Sequence, residues 1–237
     1  MPDFSIDSYN PIDIKRKWIT FFTDFVHPSE SNNLIPFDDS VSGTGAAITS
    51  IASTSGTEMG VINFTTGTTA TGRATITVGA LNMNTFYIDG SGQTTFVTKV
   101  KFSNLSDGTN TYTFRAGLID SVSAESTEGV YFIYDSTSSA NWRIIARSGG
   151  TGSAVSSGNA VDTNWNTLKF VINAAGTSVS FYLNGSLLTT NNTISSGIPS
   201  NDTSIGAFIS KSVGTTARVV QMDFIGMFKE LTTQRLF

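Results

Sequence analysis

Apolar and polar residues alternate with a period of two in several segments of this chain, and this pattern restricts its fold more than any other. In TTFVTKVKF, the residues Phe96, Val100 and Phe102 share one parity, and Lys99 and Lys101 share the other. Successive side chains of a β-strand point to opposite faces. Each such segment therefore predicts a strand with one buried and one wet face, as antiparallel sheets permit. The segments TYTFRAG, NTLKFVIN and SVSFYLNG repeat the pattern.

Short segments of this kind continue from Trp18 towards the C-terminus, separated by turns of Gly, Ser, Thr and Asn. Because no Pro-rich or charged linker interrupts them, we predict one all-β domain over residues 18–230, a two-sheet antiparallel jelly-roll sandwich. Residues 1–17 are predicted to form an extended N-terminal arm, and residues 231–237 a C-terminal tail. The polar stretch 28–57 is predicted to be a long connection with weak strand signal.

The segment WNTLKFVINAAGTSVSFYLNGSLL combines a strand opened by Trp165, a short turn, and a strand ending at the hairpin dipeptide Asn184-Gly185. It resembles the hallmark hairpin of the concanavalin-A-like (laminin-G-like) jelly-roll family, and ARVVQMDFIGMF is similar to that family's closing strand. GVYFIYDSTSSANWRII and GTTATGRATI resemble segments of lectin-like structural proteins of tailed bacteriophages. The resemblance covers about residues 59–229. It implies the jelly-roll fold and either a structural role in a virion or glycan binding.

Composition excludes several classes of partner and cofactor. Charged residues form only 14% of the chain and the net charge is -4, so nucleic acid, which requires clustered Lys and Arg, is not expected as a partner. With no Cys and one His, thiol chemistry and a zinc site are not expected either. No apolar run of 18 residues predicts membrane insertion, and the N-terminal residues do not resemble a secretion signal.

We expect no catalysis. Glucanases of the resembled fold carry two catalytic carboxylates in a Glu-x-Asp-x-x-Glu pattern, and no segment here has that spacing. The nearest group is Asp120, Glu125 and Glu128 in a Ser- and Thr-rich loop, where solvated carboxylates are the better interpretation. His27 is accompanied by no Gly-x-Ser-x-Gly motif. Asp223 is expected to face outward alone, without a partner for acid–base chemistry.

A sugar site in a lectin of this fold often includes an aromatic ring that stacks on the sugar. The candidates are Tyr182, Trp142 and Tyr131. Tyr182 is the best of them, because its alternation with Phe181 points it outward, although Tyr is also simply a good strand former. Trp165, which opens the hairpin strand, is expected in the core.

Such lectins also often hold calcium through loop carboxylates. The candidate ligands are Asp38, Asp39, Asp120 and Asp135. None of them lies in a recognisable calcium loop, and the adjacent pair Asp38-Asp39 is better interpreted as a turn former. No cofactor other than calcium is a candidate.

Two functions compete. The leading hypothesis is a non-enzymatic bacteriophage virion structural protein: a capsid decoration, or a short head or tail fibre-like surface protein. Its partners would be further copies of itself, with a trimer favoured, and virion proteins such as the major capsid protein or tail proteins. The weakly charged surface, the predicted arm and the missing secretion signal favour this virion location. The alternative is a lectin-like carbohydrate-binding module that attaches to glycans of the host surface.

Overall fold

Sixteen β-strands form the described part of the chain. The computed structural model describes residues 16–25, 37–51, 56, 58, 60–78, 86–201 and 203–235. The strands are β1 Arg16–Thr23, β2 Phe37–Ser42, β3 Ala46–Ile51, β4 Val61–Thr66, β5 Arg73–Val78, β6 Gly92–Phe102, β7 Thr111–Ile119, β8 Gly129–Asp135, β9 Ser139–Arg147, β10 Val155–Ala160, β11 Asn166–Ile172, β12 Val179–Leu183, β13 Ser186–Leu187, β14 Thr193–Ile194, β15 Ser204–Val213 and β16 Val219–Arg235. Across these ranges no α-helix occurs, and so no helix that could span a membrane.

The strands form two antiparallel sheets. A nine-stranded sheet has the order β13-β12-β11-β6-β16-β4-β3, with β1 added beside β16 and β14 beside β12. A seven-stranded sheet has the order β10-β9-β8-β7-β15-β5-β2. Consecutive strands such as β6 and β7 lie in different sheets, so their apolar faces pack against each other. The predicted all-β, two-sheet antiparallel sandwich is confirmed, in an arrangement consistent with a jelly roll.

The core lies between the sheets and is rich in aromatic rings. The predicted alternation is confirmed in β6, where Phe96, Val100 and Phe102 are buried and Lys99 and Lys101 lie half-buried on the outer face. Neighbouring rings in the core touch with centroids 4.9–6.5 Å apart. Each large side chain removed from water contributes roughly 1.5–3 kcal/mol to folding before the entropy cost is subtracted.

The predicted Asn-Gly hairpin joins β12 to β13. Asn184 and Gly185 have φ angles of 51° and 83°, as the two central residues of a type I′ turn require. The turn brings Leu183 opposite Ser186. The structure confirms the predicted hairpin. It could be predicted because the dipeptide alone determines the turn conformation.

Two predicted segments differ from the structure. The stretch 28–57 contains strands β2 and β3, so its interpretation as one long connection is wrong. Both strands lie at sheet edges and expose mainly Ser, Thr and Asp, which weakens their apolar signal. At the other end, β16 continues through Arg235, which pairs with Arg16 of β1. The strands thus include residues 16–17 and 231–235, and residues 1–15 of the predicted arm lie outside the described residues.

Candidate functional site

Two of the three candidate sugar-stacking residues are in the wrong place for that role. Trp142 and Tyr131 are both 0% exposed. Trp142 lies in the core between the sheets, with its ring centroid 5.5 Å from that of Phe102. Tyr131 lies on the outer side of the seven-stranded sheet, where Val122 of the loop after β7 packs against its apolar cluster. Neither ring reaches the surface, so the prediction that they contact sugar is wrong.

Tyr182 lies where the alternation predicts, on the outer face of the nine-stranded sheet. Its side chain is half-buried, and the ammonium of Lys169, directly opposite on β11, lies 4.6 Å from the ring centroid. A cation at this distance from an aromatic face is attracted by the ring's electrons. The role of Tyr182 in glycan binding stays a prediction.

Trp165 is a surface residue that sequence reasoning placed in the core. It is half-buried, and the ammonium groups of Lys99 and Lys101 lie 5.1 and 5.9 Å from its ring centroid. The signal that could have found it is the alternation itself. Because Leu168 and Asn166 are buried, residues of the opposite parity, including Trp165, face outward.

These five side chains form one surface feature, here called the aromatic–lysine strip: Tyr182, Lys169, Trp165, Lys99 and Lys101. It crosses three neighbouring strands, β12, β11 and β6. Trp165 and Lys169 are four residues apart along one strand direction, which corresponds to about 13 Å. The strip therefore contains two ring–lysine pairs, Tyr182 with Lys169 and Trp165 with Lys101, at its two ends, and Lys99 lies against the same Trp165 ring.

Lys99 is held in place by two carboxylates. Its ammonium lies 3.1 Å from a carboxylate oxygen of Glu58 and 3.1 Å from one of Asp223. Burial by itself lowers the pKa of Lys99, but the hydrogen bonds and charges of Glu58 and Asp223 outweigh burial and raise that pKa above its usual 10.5. The Asp223 carboxylate lies on the outer side, as predicted, but it is 4% exposed and has this partner, so the prediction of a lone carboxylate is wrong.

A β-bulge places Asp223 beside Lys99. The register of β16 against β6 shifts between Met222, opposite Val100, and Phe224, opposite Lys99. An extra residue in one strand of a pair turns its side chain out of the regular alternation. The bulge also coincides with the point where the neighbour of β16 changes from β4 to β1, since Met222 pairs with Ile62 and Ile225 pairs with Thr23.

Next to the strip, three phenylalanines face outward from β1 and β16. The ring centroid of Phe22 is 5.6 Å from that of Phe224 and 6.3 Å from that of Phe228, and Phe22 is 49% exposed. Gly226 lies beneath them. A Cβ there would approach the Phe22 ring to 2.7 Å, so the missing side chain lets Phe22 lie close to the sheet.

The four candidate calcium ligands are not brought together. Asp38 and Asp39 lie in β2 as consecutive residues, so their side chains point to opposite faces and cannot share one ion; the turn interpretation is also wrong. Asp120 accepts hydrogen bonds from the backbone N–H groups of Thr127 and Glu128 at 3.0 and 2.9 Å. Across the described ranges, no three His, Cys, Asp or Glu side chains lie close enough together to hold a metal ion.

Asp135 and the acidic loop after β7 also serve the structure. Asp135 accepts hydrogen bonds from the N–H and hydroxyl of Thr137 at 3.1 and 2.6 Å, which closes the turn between β8 and β9. In the loop, Glu125 pairs with Arg147 at 2.9 Å, and Glu128 accepts the N–H of Gly149 at 2.6 Å. Through these contacts the carboxylates of Asp135, Glu125 and Glu128 stabilise the turns and loops in which they lie. That the chain is not an enzyme stays a prediction.

The chain is an all-β sandwich domain, and its nine-stranded sheet carries aromatic and cationic side chains on the outer face. Residues 57–223 match the family model described as SO2946-like, C-terminal domain. This chain belongs to that family. No curated protein matches it in sequence.

Solved structures of neurotoxin binding domains show a similar fold. The binding domain of botulinum neurotoxin DC in complex with SialylT has a TM-score of 0.52 at 11% identity, covering 82% of this chain and 43% of that chain. The same domain in complex with rat synaptotagmin II gives 0.53 at 11% identity, covering 82% and 44%. A conserved carbohydrate esterase from Shiga toxin-encoding bacteriophage phi24B gives 0.47 at 14% identity, covering 81% and 90%. This chain thus spans less than half of the neurotoxin domains, and their likeness shows the fold alone.

Proposed function

We propose that this chain is a non-enzymatic carbohydrate-binding module and that the aromatic–lysine strip is its binding surface. The supporting observation is that Trp165 and Tyr182 both face outward, half-buried, from one sheet face. A ring fixed in this way offers a flat apolar surface to the C–H face of a sugar at little entropy cost. Lysine ammonium groups beside each ring add hydrogen-bond donors for sugar oxygens.

The fold adds limited support. A neurotoxin binding domain of similar fold was solved in complex with SialylT, which is consistent with a sandwich of this kind carrying a sugar site. At 11% identity the position of that site does not transfer to this chain. The proposal therefore depends on the outward rings, and not on the neighbours.

Glycan binding by variants of the strip tests the proposal. A glycan array first identifies a ligand, and titration calorimetry then compares the wild type with Trp165→Ala and Tyr182→Ala. Loss of one stacked ring is worth about 1–1.5 kcal/mol, so each variant is expected to bind roughly 5- to 10-fold more weakly. Tyr87→Ala is the matched control, because Tyr87 is 52% exposed but lies outside the strip. Unchanged affinity in both strip variants would show that the strip is not the glycan-binding site.

The absence of catalysis is tested with the same glycans. The purified chain is incubated with each glycan that it binds, and the solution is assayed for released reducing ends and released acyl groups. We expect neither product. A product that disappears when Glu58, Asp223 or the loop carboxylates are neutralised one at a time would establish an enzyme instead.

We also propose that the module works as a surface protein of a bacteriophage virion, as a capsid decoration or a short head or tail fibre. The resemblance of its segments to phage lectin-like proteins supports this, and so does its weakly charged surface. The outward-facing cluster of Phe22, which is exposed, with the half-buried Phe224 and Phe228 adds an apolar patch of the kind that protein contacts use. Its partners would be further copies of itself, with a trimer as the favoured oligomer, and the major capsid or tail proteins.

The solution mass measured by light scattering, with and without calcium, tests the virion role. A trimer or another closed oligomer is expected. Deleting residues 1–15, which precede β1, then tests whether the predicted arm is needed for incorporation into particles. A monomer under both conditions would contradict the proposed oligomer. Full incorporation of the shortened chain into particles would contradict the proposed role of the arm.

A further inference from the structure

We infer that the ligand of the aromatic–lysine strip is an acidic oligosaccharide that lies along β11 and reaches both ring–lysine pairs. This inference rests on the proposed function and names the class of glycan. Its basis is the unequal pairing of the three lysines. Lys99 has two carboxylate partners at 3.1 Å, whereas Lys101 and Lys169 have no ion pair among the described residues.

The two unpaired lysines are the groups available to an anion. Lys169 and Lys101 each lie against a ring, at 4.6 and 5.9 Å from the ring centroid. This contact positions the ammonium without neutralising it, since a ring carries no net charge. A sugar with a carboxylate or sulfate group could place its anionic group on the ammonium and its apolar C–H face against the part of the ring that the ammonium leaves uncovered. A neutral sugar would leave that second interaction unused.

Lys99 has a different task in this arrangement. Its charge is already taken up by Glu58 and Asp223, and its ammonium lies 5.1 Å from the Trp165 ring centroid. It therefore fixes the orientation of the ring and adds no free charge. The carboxylates on its other side repel anions, so the acidic groups of the ligand belong at the two ends of the strip.

The distance between the ends determines the minimum ligand. Four residues of extended backbone, about 13 Å, separate Trp165 from Lys169, and this span is longer than a single sugar ring. Between them lies Thr167, whose half-buried side chain is on the same outer face and offers a hydroxyl. The ligand is therefore an oligosaccharide with at least two acidic groups, bound in an extended form.

Binding measurements with defined probes test this inference. The probes are oligogalacturonates of one to six units, neutral malto-oligosaccharides of the same lengths, and an oligothymidine as a polyanion without sugar acids. Calorimetry at two salt concentrations is expected to show the tightest binding for oligogalacturonates long enough to span both pairs. That binding is expected to weaken as salt increases.

Charge removal separates the lysines. Lys101→Gln and Lys169→Gln are each expected to weaken binding of the acidic probe about 10-fold or more, as the loss of one charge-assisted hydrogen bond does. The double variant should also lose most of the salt dependence. Lys229→Gln is the control, because Lys229 pairs with Asp89 at 2.9 Å and lies outside the strip. Thermal unfolding confirms that each variant is folded.

The outcomes distinguish this inference from the proposed function. Equal binding of neutral and acidic probes, with loss on Trp165→Ala, would overturn the acidic ligand and keep the carbohydrate module. Tighter binding of oligothymidine than of any saccharide would overturn both. The single-unit acid binding as tightly as the longer probes would overturn the extended ligand.

Discussion

Replacing Lys99 with Met should destabilise the protein more than the same replacement of Lys101 or Lys169. Met keeps most of the apolar stem but leaves the carboxylates of Glu58 and Asp223 without their shared cation. Removing one partner of a buried ion pair costs about 3–5 kcal/mol. The side chains of Lys99, Glu58 and Asp223 are 18, 10 and 6% exposed, so water compensates in part, and the loss is expected to be about 2–3 kcal/mol.

The deficit should depend on pH with a definite sign. At neutral pH the folded variant holds two carboxylates of like charge close together, and protonation at low pH removes that repulsion. At this cluster the folded variant then binds more protons than the unfolded chain, so its deficit relative to the wild type decreases as the pH falls. In the wild type, the raised pKa of Lys99 stabilises the fold at neutral pH, and that contribution is lost as the pH rises above 10.5.

Thermal and urea unfolding from pH 4 to 8 measure the deficit at neutral pH and its decrease on acidification. A loss of 2–3 kcal/mol corresponds to a decrease in Tm of roughly 4–12 °C for a domain of this size. Lys101→Met is the matched control, since Lys101 lies on the same face of β6 without an ion pair in the described part of the chain. If the two variants are equally stable at neutral pH, or if the Lys99→Met deficit grows on acidification, the buried cluster does not act as described.

Three further outcomes follow from the packing. Gly72→Ala should destabilise the fold by more than about 3 kcal/mol, because its Cβ would lie 1.8 Å from the Thr66 carbonyl oxygen; Gly108→Ala, with open space around it, should be nearly neutral. Trp142→Ala should cost about 3–5 kcal/mol in urea unfolding, whereas Trp165→Ala should cost under about 1 kcal/mol and change only ligand binding. Equal losses would contradict the assignment of one ring to the core and one to the surface. Calcium should leave Tm unchanged relative to a chelator, and a rise of several degrees would reveal a metal site.

The strand faces could be predicted because their determinant is local. Phe170 and Ile172 are buried and Lys169 is not, as the period of two requires. Trp165 directly precedes the first residue of β11, and the same rule places its side chain on the outer face. The prediction that Trp165 lies in the core was wrong because a Trp at the start of the hairpin was expected to be buried. The Asn184-Gly185 turn was likewise predictable, because the φ angles that it needs are carried by those two residue types.

The carboxylates could not be assigned from the sequence. Lys99 meets Glu58 across 41 positions and Asp223 across 124, and the bulge that turns Asp223 towards Lys99 has no clear sequence signal. Tyr131 was misjudged for a similar reason. Both faces of β8 are buried, one by the opposite sheet and the other by Val122 of a loop, and a sequence does not show which loop folds over which strand.

The sequence by itself determined the all-β class, the parity of each strand and the hairpin turn, because hydrophobic alternation and turn conformation act over a few neighbouring residues. Only the tertiary structure decided which outward face is covered, which carboxylates share a cation and which two rings stand beside unpaired lysines. Those outcomes depend on strand order and register, which bring together residues far apart in the chain. The candidate site is therefore a property of the assembled sheet, although each of its residues obeys a local rule.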